Sequence, residues 1–209
     1  VRFATWNVNS IKARGEAVLD WVGREQPDVL ALQEIKCRSE AFPKAAFEAL
    51  GYHAQVFGQP AYNGVALLTR QPVEDVRGNL PGDDADEQAR WVEAVVQGGE
   101  SGADPIRVVG IYLPNGNPTP GPKYDYKLGW MARLEARLDE LIADDCPFLV
   151  MGDFNVIPEP QDCYDPAAWA DDALFLLETR RAFRRLMHRG LTDAFRALHP
   201  TAARAWSFW

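Results

Sequence analysis

Three short apolar runs, residues 52–57, 64–69 and 91–96, follow one another with no helical stretch between them. Parallel neighbours need a crossover of about a dozen or more residues, usually a helix, so consecutive strands of this kind require antiparallel or mixed pairing. Further β-rich runs at 2–8, 28–33, 106–113 and 148–151 alternate with helix-like stretches. Those stretches are 11–24, 42–50 and 124–143; in the last, Tyr124, Leu128, Met131, Leu134, Leu138, Leu141 and Ile142 recur at helical spacing between Pro122 and Pro147. A bundle is excluded by the number of strands. Two mixed sheets packed together, with helices outside, satisfy the pattern.

With 209 residues, 47% of them hydrophobic and 25% charged, the chain can bury one substantial core, and a single domain over 1–209 is expected. No apolar run approaches the ~20 residues of a membrane span. The first residues read as a strand rather than as a signal sequence, which leads to the expectation of a soluble, cytoplasmic protein. Cys37, Cys146 and Cys163 are odd in number and lack histidines at metal-site spacing, so neither a disulfide framework nor a zinc site is expected.

The net charge of −8 counts against a general nucleic-acid binder, because backbone affinity comes largely from Lys and Arg. Distribution softens that conclusion. Asp83, Asp84, Asp86 and Glu87 lie together, whereas Arg180, Arg181, Arg184, Arg185 and Arg189 form a basic cluster in which Arg181, Arg185 and Arg189 share one helix face. A solvated helix face is the plainer reading of that cluster; a phosphate-contacting patch is the alternative.

Polar residues recur where apolar strands end: Asn7, then Gln33 and Glu34, then Tyr112 and Asn115, then Asp153 and Asn155. Each alone fits a turn, since Asp and Asn favour strand ends. Together they bring two carboxylates, several carboxamides and a phenol to one sheet edge, a set suited to phosphodiester hydrolysis assisted by a hard cation. Magnesium takes oxygen ligands and keeps waters, so one or two carboxylates suffice, with Glu34 the first choice. Asp153 can orient and deprotonate water, while Asn7, Asn155 and Tyr112 can offer neutral hydrogen bonds to phosphate oxygens. A Gly-rich phosphate loop ending in Lys-Ser/Thr, a nucleophile elbow and paired helical histidines are all lacking in the sequence.

The strings Thr5-Trp6-Asn7-Val8-Asn9, Leu32-Gln33-Glu34-Ile35-Lys36, Ile111-Tyr112-Leu113-Pro114-Asn115-Gly116 and Gly152-Asp153-Phe154-Asn155 occur in this order. They resemble the successive motifs of the exonuclease III family of apurinic/apyrimidinic (AP) endonucleases, and shorter strings at 63–68, 81–84 and 190–196 support the likeness. The resemblance implies a deoxyribonuclease I-like α/β fold: a four-layer sandwich of two mixed β-sheets flanked by helices.

It also implies a magnesium-dependent (manganese as substitute) nuclease that acts on duplex DNA and cuts 5′ to abasic sites, with exonuclease action at 3′ ends; with no heptad or dimerisation segment in the sequence, a monomer is expected. By the same resemblance Glu34 binds the metal, with Asn7, Asp153 and Asn155 completing the metal site. Tyr112, Asp153 and Asn155 are the catalytic set, and Arg90 lies near DNA. Phe208 and Trp209 resemble the aromatic pair lining a pocket for the flipped-out abasic sugar. Family members continue past the motif matching Trp206 to Trp209 into an aspartate and a Ser-Asp-His motif that nothing here matches. A C-terminal part is therefore expected to be missing, and residues 205–209 read as a strand cut short. Two rival readings are a non-catalytic DNA-binding fragment and a phosphatase or ribonuclease relative of the same fold.

Overall fold

The computed structural model of the chain describes residues 1–98, 103–202 and 204–207. Eight strands are present among them: β1 (Phe3–Asn7), β2 (Val29–Gln33), β3 (His53–Phe57), β4 (Val65–Thr69), β5 (Val73–Arg77), β6 (Trp91–Gly98), β7 (Ala103–Tyr112) and β8 (Phe148–Asp153). The helices are α1 (Ile11–Glu25), α2 (Lys44–Glu48), α3 (Pro122–Ala143), α4 (Leu177–His188) and α5 (Ala194–Leu198). The chain divides into two compact units, one of Val1–Tyr112 with Leu141–Phe154, the other of Leu113–Glu140 with the residues from Asn155 onward.

The first unit holds both sheets. One has the order β1-β2-β4-β3 and the other β5-β6-β7-β8. Each is mixed: β1 pairs with β2 and β7 with β8 in parallel, and the remaining neighbours are antiparallel. Alternation along the strands sorts the side chains into two cores. Val29, Ala31, Val65 and Leu67 of the first sheet meet Val92, Ala94, Val96, Val108 and Met151 of the second. Leu30, Leu32, Ala66 and Leu68 face the other way and pack with Ile11, Val18 and Val22 of α1 and Phe47 of α2. Covered on both faces, β2 is buried throughout and reads as the unbroken run Val-Leu-Ala-Leu-Gln. Full burial of one such Leu or Val side chain contributes about 1.5–3 kcal/mol, so this strand is a main anchor of the unit.

Departures from the sequence reading have local causes. The helix expected over 42–50 is a 3-10 turn (Ser39–Ala41) followed by the short α2, because Phe42 precedes Pro43 and is held extended. Strand β5 was not expected. It is an edge strand whose charged residues Glu74, Asp75 and Arg77 mask its period, and its pairing with β6 is irregular between Glu74 and Arg77. Strand β7 begins at Ala103, ahead of the β-rich run read over 106–113. Residues 205–207 carry no strand, and 208–209 lie outside the described residues.

In the second unit α3 begins at Pro122, where a missing N–H costs nothing, and buries Trp130, Met131, Leu134 and Leu138. Tyr124 of α3 and Thr179 of α4 join hydroxyls at 3.0 Å. The basic cluster lies on and just after α4. Arg185 and Arg189 both hydrogen-bond Glu135 at 3.0 Å, Arg189 also reaches Asp139, and Arg180 and Arg184 grip Glu159 at 3.3 and 2.8 Å. These four arginines are engaged in ion pairs within their own unit rather than simply solvated, while Arg181 is exposed.

Candidate active site

Backbone geometry presents the site residues of the first unit. Asn7 and Gln33 end β1 and β2 side by side in parallel register, and Tyr112 and Asp153 end β7 and β8 in the same way. Beyond Gln33 the chain turns sharply, with Glu34 and Lys36 in the left-handed region at φ 52°. Such conformations cost a non-glycine residue about 1–3 kcal/mol and persist only where the surroundings over-determine them. Here they do: Ser10 N donates to Glu34 O at 2.7 Å, Ile35 N to Gly64 O at 3.2 Å and Lys36 N to Asn63 O at 3.0 Å. Gly152 sets the approach of β8, since a Cβ there would stand 2.0 Å from Ile111 O at φ +146°.

The side chains close into one network. Asn7 Nδ2 donates to Glu34 Oε1 and to Asp153 Oδ2, each at 2.8 Å, while Asn7 Oδ1 accepts from Asn9 N at 3.0 Å. With all three contacts made, the orientation of the amide is fixed. Lys36 Nζ lies 2.8 Å from Glu34 Oε2, and the Tyr112 hydroxyl hydrogen-bonds the same carboxylate. Burial pushes Glu34 toward the neutral form, but the bonds from Asn7, Lys36 and Tyr112 outweigh it and hold the carboxyl below its ordinary range. Burial, then the Glu34 charge, push the Tyr112 phenol well above its ordinary value, so it stays a proton donor at neutral pH. The Arg90 guanidinium stacks 4.7 Å from the centre of the Tyr112 ring, donates to Tyr112 O at 3.2 Å, and is held by Gln88 Oε1 at 2.8 Å.

A hard cation fits this donor set. Glu34 and Asp153 offer carboxylate oxygens gathered around one amide, and magnesium needs no more than one or two from the protein. Among the described residues no group of three or more His, Cys, Asp or Glu side chains is placed to hold a metal. Asn7 could ligate only through Oδ1, the atom that accepts from Asn9 N.

Of the residues expected from sequence, Asn7, Glu34, Tyr112 and Asp153 come together, with Arg90 against Tyr112. Asn155 belongs to the second unit; its backbone is left-handed at φ 46°, and its Nδ2 donates to Leu113 O at 2.8 Å. Phe208 and Trp209 lie outside the described residues. Gln33 is buried on Thr5 Oγ1 and Ala31 O and serves the sheet. Asn115 caps its own turn by accepting from Asn117 N. Lys36 carried no assignment in the sequence, where nothing marks the tight turn that brings it to Glu34.

A family model described as the endonuclease/exonuclease/phosphatase family matches residues 4–209. The chain belongs to the endonuclease/exonuclease/phosphatase family. Within that family it is similar to exodeoxyribonuclease III of Haemophilus influenzae, at 35% identity over 97% of this chain and 77% of the relative. Among solved structures it matches a 3′-5′ exonuclease from Neisseria meningitidis with a TM-score of 0.90 and 36% identity, covering 97% of this chain and 77% of that one. An AP endonuclease from Archaeoglobus fulgidus matches with a TM-score of 0.89 and 34% identity, covering 97% and 76%. The deoxyribonuclease I-like architecture expected from the motifs is thus the fold of this endonuclease/exonuclease/phosphatase family member, and the chain spans about three quarters of these relatives.

Proposed function

We propose that the chain is a DNA repair nuclease that hydrolyses the phosphodiester bond on the 5′ side of abasic sites, with exonuclease action at 3′ ends, using magnesium. The observation that carries the reading is the single Asn7 amide donating to both Glu34 and Asp153, with the Tyr112 hydroxyl on Glu34. These are the strand-end residues that phosphodiester hydrolysis calls for. The names of the relatives, an exodeoxyribonuclease III, a 3′-5′ exonuclease and an AP endonuclease, support DNA as the substrate.

Glu34 and Asp153 would hold the cation, which supplies charge neutralisation at the phosphate oxygens when bound. Asp153 takes a proton from the attacking water as its oxygen bonds to phosphorus and the bond to the leaving oxygen breaks. The Tyr112 phenol, kept protonated by its burial, donates to a phosphate oxygen as negative charge develops there. Asn7 keeps the two carboxylates in place, and Arg90 braces the Tyr112 ring. Asn155, two residues beyond Asp153 in the same motif, serves as a further neutral donor to phosphate.

The test is incision of a duplex bearing one abasic-site analogue, with magnesium and then with chelator. Metal-dependent cleavage just 5′ of the lesion is the expected result. Salt-sensitive DNA binding without any metal-dependent product would establish a non-catalytic fragment instead, and release of phosphate from an inositol phosphate without incision would establish a phosphatase relative.

A further inference from the structure

Lys127 is fully buried on α3, an unusual place for a side chain that ordinarily keeps its amine in water. Its Nζ donates to Asn115 O at 2.9 Å and to Asn155 O at 2.6 Å. One of those carbonyls lies in the turn that follows β7, and the other lies just past β8. A single amine therefore ties together the backbones of two separate motif segments. Asn155 is itself held left-handed at φ 46°, so its backbone is fixed by its surroundings. Its carboxamide spans the same two segments, donating from Nδ2 to Leu113 O at 2.8 Å and accepting loosely from Asn115 Nδ2 at 3.4 Å.

The turn is also shaped around the lysine. Gly116 sits at φ +93°, and a Cβ there would lie 2.7 Å from Lys127 Cδ and 3.1 Å from the Ala173 methyl carbon. The glycine leaves room for the aliphatic stem to reach the two carbonyls, so the Pro-Asn-Gly turn and the lysine form a matched pair. Buried polar groups are costly unless satisfied, and here the buried amine and the two carbonyls satisfy one another.

We propose that Lys127 is a positioning residue that holds the Asn155 carboxamide in its working orientation through the Asn155 and Asn115 carbonyls. Its consequence for turnover rests on the reading of Asn155 as a donor to phosphate; its structural part does not.

Two measurements test it separately. In ¹⁵N-labelled protein without substrate, the Asn155 side-chain amide is identified by its disappearance in Asn155→Ala. Lys127→Met keeps the stem, removes the donor and should shift that resonance and speed its hydrogen exchange; an unchanged resonance overturns the proposal. Should Lys127→Met fail to fold, Gly116→Ala, which pushes the stem aside, should move the same resonance, and its failure to do so is equally decisive. In the incision assay Lys127→Met should lower kcat by about 10–10²-fold with KM little changed, the scale of a slightly misplaced catalytic group. In an Asn155→Ala background it should cost nothing further. Independent losses that multiply would overturn action through Asn155. A shifted resonance in a protein that does not incise would uphold the positioning role and count against the nuclease reading.

Discussion

Asn7 and Asp153 end strands in different sheets, and the 2.8 Å bond between Asn7 Nδ2 and Asp153 Oδ2 joins the two sheets at the edge where the carboxylates gather. The same nitrogen serves Glu34, so one neutral amide separates two groups of like charge. Asn7→Ala should leave both without that donor and free to move apart. A hydrogen bond to a charged acceptor is worth about 1.5–3 kcal/mol, so kcat for incision should fall about 10–100-fold while the fold persists. Turnover measured beside circular dichroism checks this, and wild-type turnover would remove Asn7 from the network's function.

Asp153→Asn is near-isosteric and retains one oxygen toward Asn7, but it cannot accept a proton from water. Loss of a general base lowers rates by about 10²–10⁴-fold, and that is the expected fall in kcat, with an unchanged melting curve. Substantial retained incision would assign proton transfer to another group.

Glu34→Gln removes a charge from the cation's donor set while keeping the acceptor for Asn7. The magnesium concentration giving half-maximal activity should rise, and direct binding of manganese followed by electron paramagnetic resonance should weaken in parallel. An unmoved titration in both assays would take Glu34 out of metal binding.

Glu135 is a stability element of the second unit with a defined pH window. Burial raises its pKa, but hydrogen bonds from Arg189 and Arg185 outweigh this and hold the carboxyl below its ordinary value of 4.5. A depressed folded-state value means that the contribution is fully present above about pH 4.5 and is lost as pH falls through the lower folded value. Glu135→Gln should therefore lower Tm at pH 7 and converge on the parent protein at an acid pH below the folded value. Equal Tm differences at both pH values would exclude this linkage.

Gly152→Ala places a methyl group 2.0 Å from Ile111 O, which is backbone and cannot swing away. The expected cost is at least about 3 kcal/mol, read as a lower denaturation midpoint. A midpoint unchanged from the parent would mean that β8 can shift without loss.

Much of the fold was readable because β2 and β4 are continuous apolar runs bounded by polar residues, a signal that needs no tertiary information. β5 was hidden because an edge strand tolerates charge on both faces, and α2 was overestimated because Pro43 interrupts an otherwise helical composition. In the site, Asn7, Glu34, Tyr112 and Asp153 were legible from their places at strand ends. Lys36 and Lys127 were not. Lys36 acts across a turn whose left-handed φ no composition reveals. Lys127 is indistinguishable in sequence from any solvated helix lysine; only its burial and its two carbonyl partners set it apart.

The ion pairs of α4 bear on how such a protein would search for its target. With a net charge of −8, and with Arg180 and Arg184 sharing Glu159 while Arg185 and Arg189 share Glu135 and Asp139, these four arginines lend little general attraction for intact duplex. Under the nuclease reading, dwell time on undamaged DNA should be short, and residence should lengthen only where a lesion lets the strand-end network engage. Under that reading the target would be found by frequent brief encounters rather than by long sliding runs.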